Sequence, residues 1–311
     1  NSSNNAACTS LQFEQAAKLA SPSTIRRFMT QMRSQAVAYI RLPHFTPLIS
    51  VVAVTGLLAW VIAGSSLAVG ELVCMLLAML GGQIVVGVAN ELADVETDRL
   101  TKPSKPVPAG LVSWRGAIGL GGVGFVLMVA AGMTLGLASF LILLVGTGTG
   151  VMYSLWFKRS RFAWIPYLIA LPLLPIWVAV TLDRFEPALL LLFPLGGLAV
   201  LGVQLAQSIP DVEPDRAAGI DSLTTRLGER HVLMLCWASV LGSLLLAVMA
   251  MGYQDGWHWP IWLAGLTVLA LTLLDVVLYQ VKRRTGVLAA FPCTAASVVV
   301  LALAWVASIY R

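Results

Sequence analysis

Residues 69–98 read VGELVCMLLAMLGGQIVVGVANELADVETD. From Val69 to Ala89 the stretch is apolar apart from Glu71 and Gln83, and about 20 apolar residues is the length of helix that crosses the hydrocarbon core of a bilayer. At Asn90 its character changes, and Glu91, Asp94, Glu96 and Asp98 follow within nine residues. Asn90, Asp94 and Asp98 stand at i, i+4 and i+8, so on a helix they share one face. Gln83, one heptad before Asn90, carries that polar stripe back into the apolar run. The stretch therefore predicts a membrane helix that ends in an ordered row of carboxylates.

Composition says that this span is one of many. Of the 311 residues, 58% are hydrophobic and only 11% are charged, and the mean hydropathy is +0.85. Soluble domains carry about 25% charged residues. A soluble fold of this size has no way to bury so much apolar surface, so lipid is the expected solvent. Apolar stretches long enough to span recur nine times, at 46–64, 69–89, 116–133, 135–153, 163–181, 188–209, 231–251, 260–279 and 288–309. The expected fold is all-α, a polytopic bundle of about nine transmembrane helices.

The basic residues support that count. Lys18, Arg26, Arg27, Arg33 and Arg41 precede the first span. Arg99, Lys102, Lys105 and Arg115 lie between the second and third, and Lys158, Arg159 and Arg161 between the fourth and fifth. Arg216, Arg226 and Arg230 separate the sixth and seventh, and Lys282, Arg283 and Arg284 the eighth and ninth. With nine spans, 18 of the 20 basic residues fall on one side, leaving Arg184 and Arg311 for the other. The positive-inside rule makes the rich side cytoplasmic. The same spacing argues against nucleic acid as a partner, because the net charge of +5 is distributed between spans rather than gathered on a polar surface. No secretory signal is expected, since the first 20 residues lack a basic segment followed by an apolar run. Residues 1–40 are expected to comprise a mobile N-terminus and an interfacial amphipathic helix over about 23–40, with Ile25, Phe28, Met29, Met32, Ala36 and Tyr39 at helical spacing. Residues 41–311 then form a single nine-helix domain. Cys8, Cys74, Cys236 and Cys293 are far apart and read as small apolar residues.

Acids cluster a second time. Asp211, Glu213, Asp215 and Asp221 follow the sixth span, and Asp211 and Asp215 are again i, i+4, with Gln204 and Gln207 before them and Pro210 and Pro214 expected to distort the helix end. Eight of the 15 acidic residues thus lie in two short segments at the same membrane face. A solvated acidic loop neutralised by neighbouring lysines is the plain alternative. Repetition of the spacing, and the Gln/Asn stripe inside the membrane, favour a cation site instead. Carboxylates packed together at a low-dielectric boundary repel unless cations are present. Mg²⁺ is held by one or two carboxylates together with substrate phosphates. Two facing clusters of this kind would hold a diphosphate through Mg²⁺, in an Asp-rich cavity open to the cytoplasm.

At Asn90–Asp98, continuing through Arg99-Leu100-Thr101-Lys102-Pro103-Ser104-Lys105-Pro106, the chain resembles the first Asp-rich motif of the UbiA superfamily of intramembrane prenyltransferases. Asp211-Val212-Glu213-Pro214-Asp215-Arg216 resembles the second, and Ser222–Gly228 its continuation. The resemblance extends over essentially the whole chain, since that family also has nine spans. Glu91 stands where the family usually has Asp. A Tyr-x-x-x-Lys element of the family is matched by Tyr153 to Lys158, one residue longer.

The resemblance implies roles. Asn90, Asp94 and Asp98 would hold one Mg²⁺ with the diphosphate, and Asp211 and Asp215 a second. Lys158, with Tyr153 beside it, and Lys102, Lys105 or Arg226 would meet phosphate oxygens; Arg41 would contact either substrate or serve as an interfacial anchor. The implied activity is transfer of a prenyl group from a prenyl diphosphate to a lipophilic, aromatic acceptor. A cyclase of the same fold acting without an acceptor is the alternative, with a cation transporter as a more distant one. Phe45, Tyr153, Trp156 and Tyr167 are candidates to face the carbocation. Asp275, inside the eighth span, is expected to pair at the interface, and His44, His231 and His258 are given no role in catalysis.

Overall fold

The structure is a computed structural model, and it describes residues 33–158, 160, 162–217, 223–251 and 259–310. Residues 1–32, and with them most of the expected N-terminal segment, lie outside the described residues, as do Arg159, Arg161, Asp221 and His258. Every regular element among the described residues is helical. Residues 33–41 form α1, followed by α2 (Phe45–Ala63), α3 (Val69–Thr101), α4 (Trp114–Thr134), α5 (Leu137–Met152) and α6 (Trp164–Thr181). Then come α7 (Leu192–Ser208), the short α8 (Val212–Ala217) and α9 (Leu223–Leu227), α10 (Glu229–Met251), α11 (Trp259–Val281) and α12 (Arg283–Ile309). Nine of the helical segments among the described residues are long and apolar enough to cross a membrane, at the nine expected places. The chain is an integral, multi-pass membrane protein.

One boundary differs from the expectation in a way that positions the charged residues. The second span does not stop near residue 89: α3 continues without a break to Thr101, 33 residues in all. At 1.5 Å per residue that is about 50 Å, against a hydrocarbon core of about 30 Å. The last turns therefore stand clear of the lipid, and Asn90–Asp98 is helix, as its i, i+4, i+8 spacing predicts. It ends where Pro103, Pro106 and Pro108 forbid continuation. Ser113 then starts α4, its side chain accepting a hydrogen bond from the Gly116 amide at 3.0 Å.

The main apolar core occupies one end of the bundle. Leu58 and Ile62 of α2, Met75 and Met79 of α3, Trp177 of α6, and Leu301 and Trp305 of α12 pack there. These are the late turns of α2, α6 and α12 and the early turns of α3, so this is the end opposite Asn90–Asp98. Arg184 fastens it, donating to the Ile62 carbonyl at 3.2 Å and to Ser66 Oγ at 2.8 Å, while the Tyr310 hydroxyl donates to the Arg184 carbonyl. A smaller core lies at the acidic end, where Ala38 and Leu42 bury against Val88, Val112 and Ala117. The described part of the N-terminal segment is thus docked onto α3 and α4.

Helices α3 and α4 meet most closely at Gly81 and Gly124. A Cβ on Gly81 would lie 2.5 Å from the Gly124 carbonyl oxygen and 2.5 Å from the Met128 amide nitrogen. Small residues permit such approach between membrane helices. Gly81→Ala is expected to lower stability by about 1–3 kcal/mol, the cost of overpacking a backbone contact. Gly122→Ala, on the same helix pair but with nothing within 4 Å, is expected to leave the melting temperature unchanged or slightly raised. Thermal melts of the two variants in detergent test this, and equal losses would refute the close approach.

Candidate functional site

The projecting end of α3 gathers its polar side chains against two lysines from distant segments. Glu91, Asp94 and Asp98 are almost fully buried, at 1%, 8% and 4% exposure, whereas Glu96 on the opposite face is exposed. Lys158, from the turn after α5, pairs with Asp94. Lys105, in the loop after α3, lies 2.5 Å from Asp98 Oδ2 and 3.2 Å from Glu91 Oε2. Burial alone would lower the Lys105 pKa, but its hydrogen bond to Asp98 and the charges of Glu91 and Asp98 outweigh this and raise it, so it is fully protonated at neutral pH.

His44 is a member of this cluster that the sequence did not single out. It caps the start of α2 with left-handed backbone (φ 54°), the turn made by Leu42-Pro43. Its Nε2 lies 3.2 Å from Asn90 Oδ1 and 3.9 Å from Glu91 Oε2. Burial, and after it the Lys105 ammonium, lower its pKa, so the ring is neutral at neutral pH. Asn90 is held from the other side by Ser154, whose Oγ its amide meets at 3.5 Å.

Among the described residues, the carboxylates of Glu91, Asp94 and Asp98 meet the ammonium groups of Lys105 and Lys158 and the neutral ring of His44. Glu91 Oε1 is buried and has no hydrogen-bond partner.

The turn that supplies Lys158 has unusual geometry. Tyr153–Phe157 forms a π-helical turn, closed by a 2.8 Å hydrogen bond from the Lys158 amide to the Tyr153 carbonyl. A π turn accommodates one residue more than an α turn. The additional residue between Tyr153 and Lys158 is absorbed there, and the lysine still reaches α3. Tyr153 packs edge-on against Tyr167 of α6, ring centroids 5.0 Å apart, and the Tyr167 hydroxyl donates to Gln207 Oε1 of α7 at 2.6 Å. Contacts therefore run from α3 through the π turn and α6 to the end of α7, four residues before Asp211.

That end of α7 continues as a single 3₁₀ turn, Ile209–Asp211, into α8. The distortion expected from Pro210 is thus realised as a tightened turn. The side chains of Asp211 and Asp215 lie outside the described part of the structure. Arg216 ties α8 to α9 by donating to the Thr225 carbonyl at 2.7 Å. Arg41, Lys102 and Arg226 are exposed. Of the four aromatic candidates, Tyr153 and Tyr167 join the cluster, whereas Phe45 and Trp156 point outward, at 54% and 66% exposure.

Nine apolar helices among the described residues, with a lysine-paired acidic face at one end, define a polytopic membrane protein. The model of the UbiA prenyltransferase family matches residues 49–298, and the chain belongs to that family. It is an intramembrane prenyltransferase. Among its relatives is the digeranylgeranylglyceryl phosphate synthase of Methanoregula boonei, 27% identical over 77% of this chain and 84% of that protein. The glycinol 4-dimethylallyltransferase of Glycine max is 28% identical over 47% of this chain and 40% of that one. A UbiA homolog from Archaeoglobus fulgidus, solved bound to GPP and Mg²⁺, shares the fold with a TM-score of 0.64. It is 17% identical, and the match covers 87% of this chain and 99% of the homolog.

Proposed function

We propose that the protein transfers the prenyl group of a prenyl diphosphate to a lipophilic, aromatic acceptor, with Mg²⁺ as cofactor and diphosphate as the second product. The observation that carries this reading is the clamp of Lys158 and Lys105 on the buried carboxylates of α3. The relatives named for dimethylallyl transfer to glycinol and for digeranylgeranylglyceryl phosphate synthesis support the donor class more closely than the acceptor.

The residues fit Mg²⁺. The donors are hard oxygens, as that ion prefers. Among the described residues no three His, Cys, Asp or Glu side chains close a complete metal shell by themselves. Asn90, Asp94 and Asp98 would hold one ion, and Asp211 and Asp215 a second. When bound, the metal supplies positive charge to the departing diphosphate.

The protein's own groups do the rest. Lys158 and Lys105 sit within reach of the carboxylates that would anchor the diphosphate, and each can turn a donor toward its oxygens as the C–O bond ionises. Arg41, Lys102 and Arg226 supply further positive charge for substrate. Asn90 is positioned between His44 and Ser154, so its amide oxygen is oriented before substrate arrives. The faces of Tyr153 and Tyr167 stabilise the allylic cation and exclude water from it. The prenyl chain lies among the apolar helices, and the acidic pole faces the cytoplasm, a reading that the charge bias of the loops supports. The catalytic domain comprises residues 41–311, with residues 1–40 as an interfacial segment.

Purified protein incubated with a panel of prenyl diphosphates is expected to release diphosphate only when an aromatic acceptor is added. Chelation of divalent ions is expected to stop release, and Mg²⁺ to restore it. Acceptor-independent formation of a cyclised hydrocarbon or alcohol would replace transfer by cyclisation. Turnover unaffected by chelation would refute the metal assignment.

A further inference from the structure

Asp275 of α11 is an acid inside a membrane span that the proposed prenyl transfer does not use. Only 1% of its surface is exposed. One carboxylate oxygen, Oδ2, accepts a 2.8 Å hydrogen bond from the Trp237 indole N–H of α10. The other, Oδ1, is buried without a partner. Among the described residues no lysine, arginine or histidine forms an ion pair with it, so the interfacial pairing expected from the sequence is not what the structure shows: its partner is an indole. Six residues separate it from the end of α11, which puts it about 9 Å below that end.

Asp275 borders a small cavity of about 10 Å³, lined also by Trp237, Thr272, Cys293, Thr294 and Ser297. That is the room of about one water molecule. Three of the lining side chains are hydroxyls, brought from two helices. Ser297 donates its own proton back to the Cys293 carbonyl at 2.8 Å, which leaves its oxygen lone pairs free to face a ligand. Thr272, Thr294 and Ser297, with Asp275, thus bring oxygen-bearing side chains to the lining of a single small volume.

A bare carboxylate at this depth is costly unless a positive charge accompanies it. A water molecule would fit the space but leave the charge unmatched. A divalent ion would overshoot, since one carboxylate is the only charge in the lining. We infer that the cavity between α10, α11 and α12 is a binding site for one small monovalent cation, of the size of Na⁺, held by Asp275, Thr272, Thr294 and Ser297. Its lining comes from helices that carry none of the residues of the two acidic motifs. Trp237 packs edge-on against Tyr279, at 6.3 Å between ring centroids, and both rings border the core that contains Leu205 and Ile209 at the end of α7. Occupancy would thus brace the helix that leads into Asp211.

Thermal melts of the purified full chain, with NaCl exchanged for choline chloride at constant ionic strength and pH, test the site. A ligand at ten times its Kd raises the melting temperature by roughly 3 °C for a protein of this size. The wild type is expected to show such a rise with Na⁺, saturating with concentration. Thr294→Ala and Ser297→Ala are each expected to shift the saturation to higher Na⁺, and Asp275→Asn, which keeps the shape but not the charge, to abolish it while melting normally in choline. A wild-type melting temperature that is identical in Na⁺ and choline but falls as pH rises would overturn the inference, showing that a proton neutralises Asp275. A Na⁺ response that survives in Asp275→Asn would overturn it as well, by placing the ion elsewhere. Neither result bears on diphosphate release, so this site and the proposed transfer stand or fall separately.

Discussion

Replacing Asp94 by alanine is expected to abolish prenyl transfer, with a loss of kcat/KM of roughly 10²–10³-fold or more. The variant removes a proposed metal ligand and, in the same stroke, the carboxylate that holds Lys158 in place. Each loss acts on the departing diphosphate, so the effect belongs to kcat as well as to the donor KM. Glu96→Ala is the control that makes the result specific. Glu96 is two residues along the same helix but on its exposed face, so its removal is expected to change activity less than about twofold, as surface substitutions usually do. Both variants are expected to elute as folded protein in detergent, because the main apolar core lies at the opposite end of the bundle. Near-normal turnover in Asp94→Ala would sink the site. Asp215→Ala is expected to behave like Asp94→Ala, since the second motif is proposed to hold the second ion.

Much of this arrangement was legible in the sequence because it is local. Nine apolar runs, the loop charges and the i, i+4 carboxylates each depend on residues within a turn or a span of one another. The prolines after Thr101 mark the end of α3 as clearly as hydropathy marks its beginning. What hydropathy obscured was the length of α3: it reports where side chains leave lipid, whereas the helix ends only where backbone hydrogen bonding fails. Contacts across long stretches of chain were not legible. Lys158 and Asp94 are 64 residues apart, and His44 and Asn90 are 46 apart. His44 offered only a position at a span edge, and its role depends on a left-handed turn that no pattern of residue types announced. Glu91 was visible as an acid in the motif, but its near-complete burial and its tie to Lys105 follow from how the loop after α3 folds back.

The second large effect concerns Lys158 and the turn that carries it. Lys158→Ala is expected to lower kcat/KM by about 10²-fold, the size of one lost electrostatic contact to a developing anion. Lys158→Arg is expected to restore only part of this, since the guanidinium is planar and wider than an ammonium group. Either result alone would leave open whether position or mere charge matters, and the π turn decides between them. In an α-helix residues at i and i+4 share a face, whereas in this turn the bond closes from i to i+5. Deleting Leu155, a half-exposed residue within the turn, would convert the spacing from Tyr153 to lysine into that of an α turn and keep the ammonium facing α3. Inserting one alanine after Leu155 would carry the lysine about 100° further round the helix, away from Asp94. The deletion is expected to retain most of the activity and the insertion to lose as much as Lys158→Ala, with donor KM as the more sensitive readout. Equal activity in the insertion variant and the wild type would show that the lysine need not meet Asp94, and the clamp on which the proposed mechanism rests would have to be abandoned.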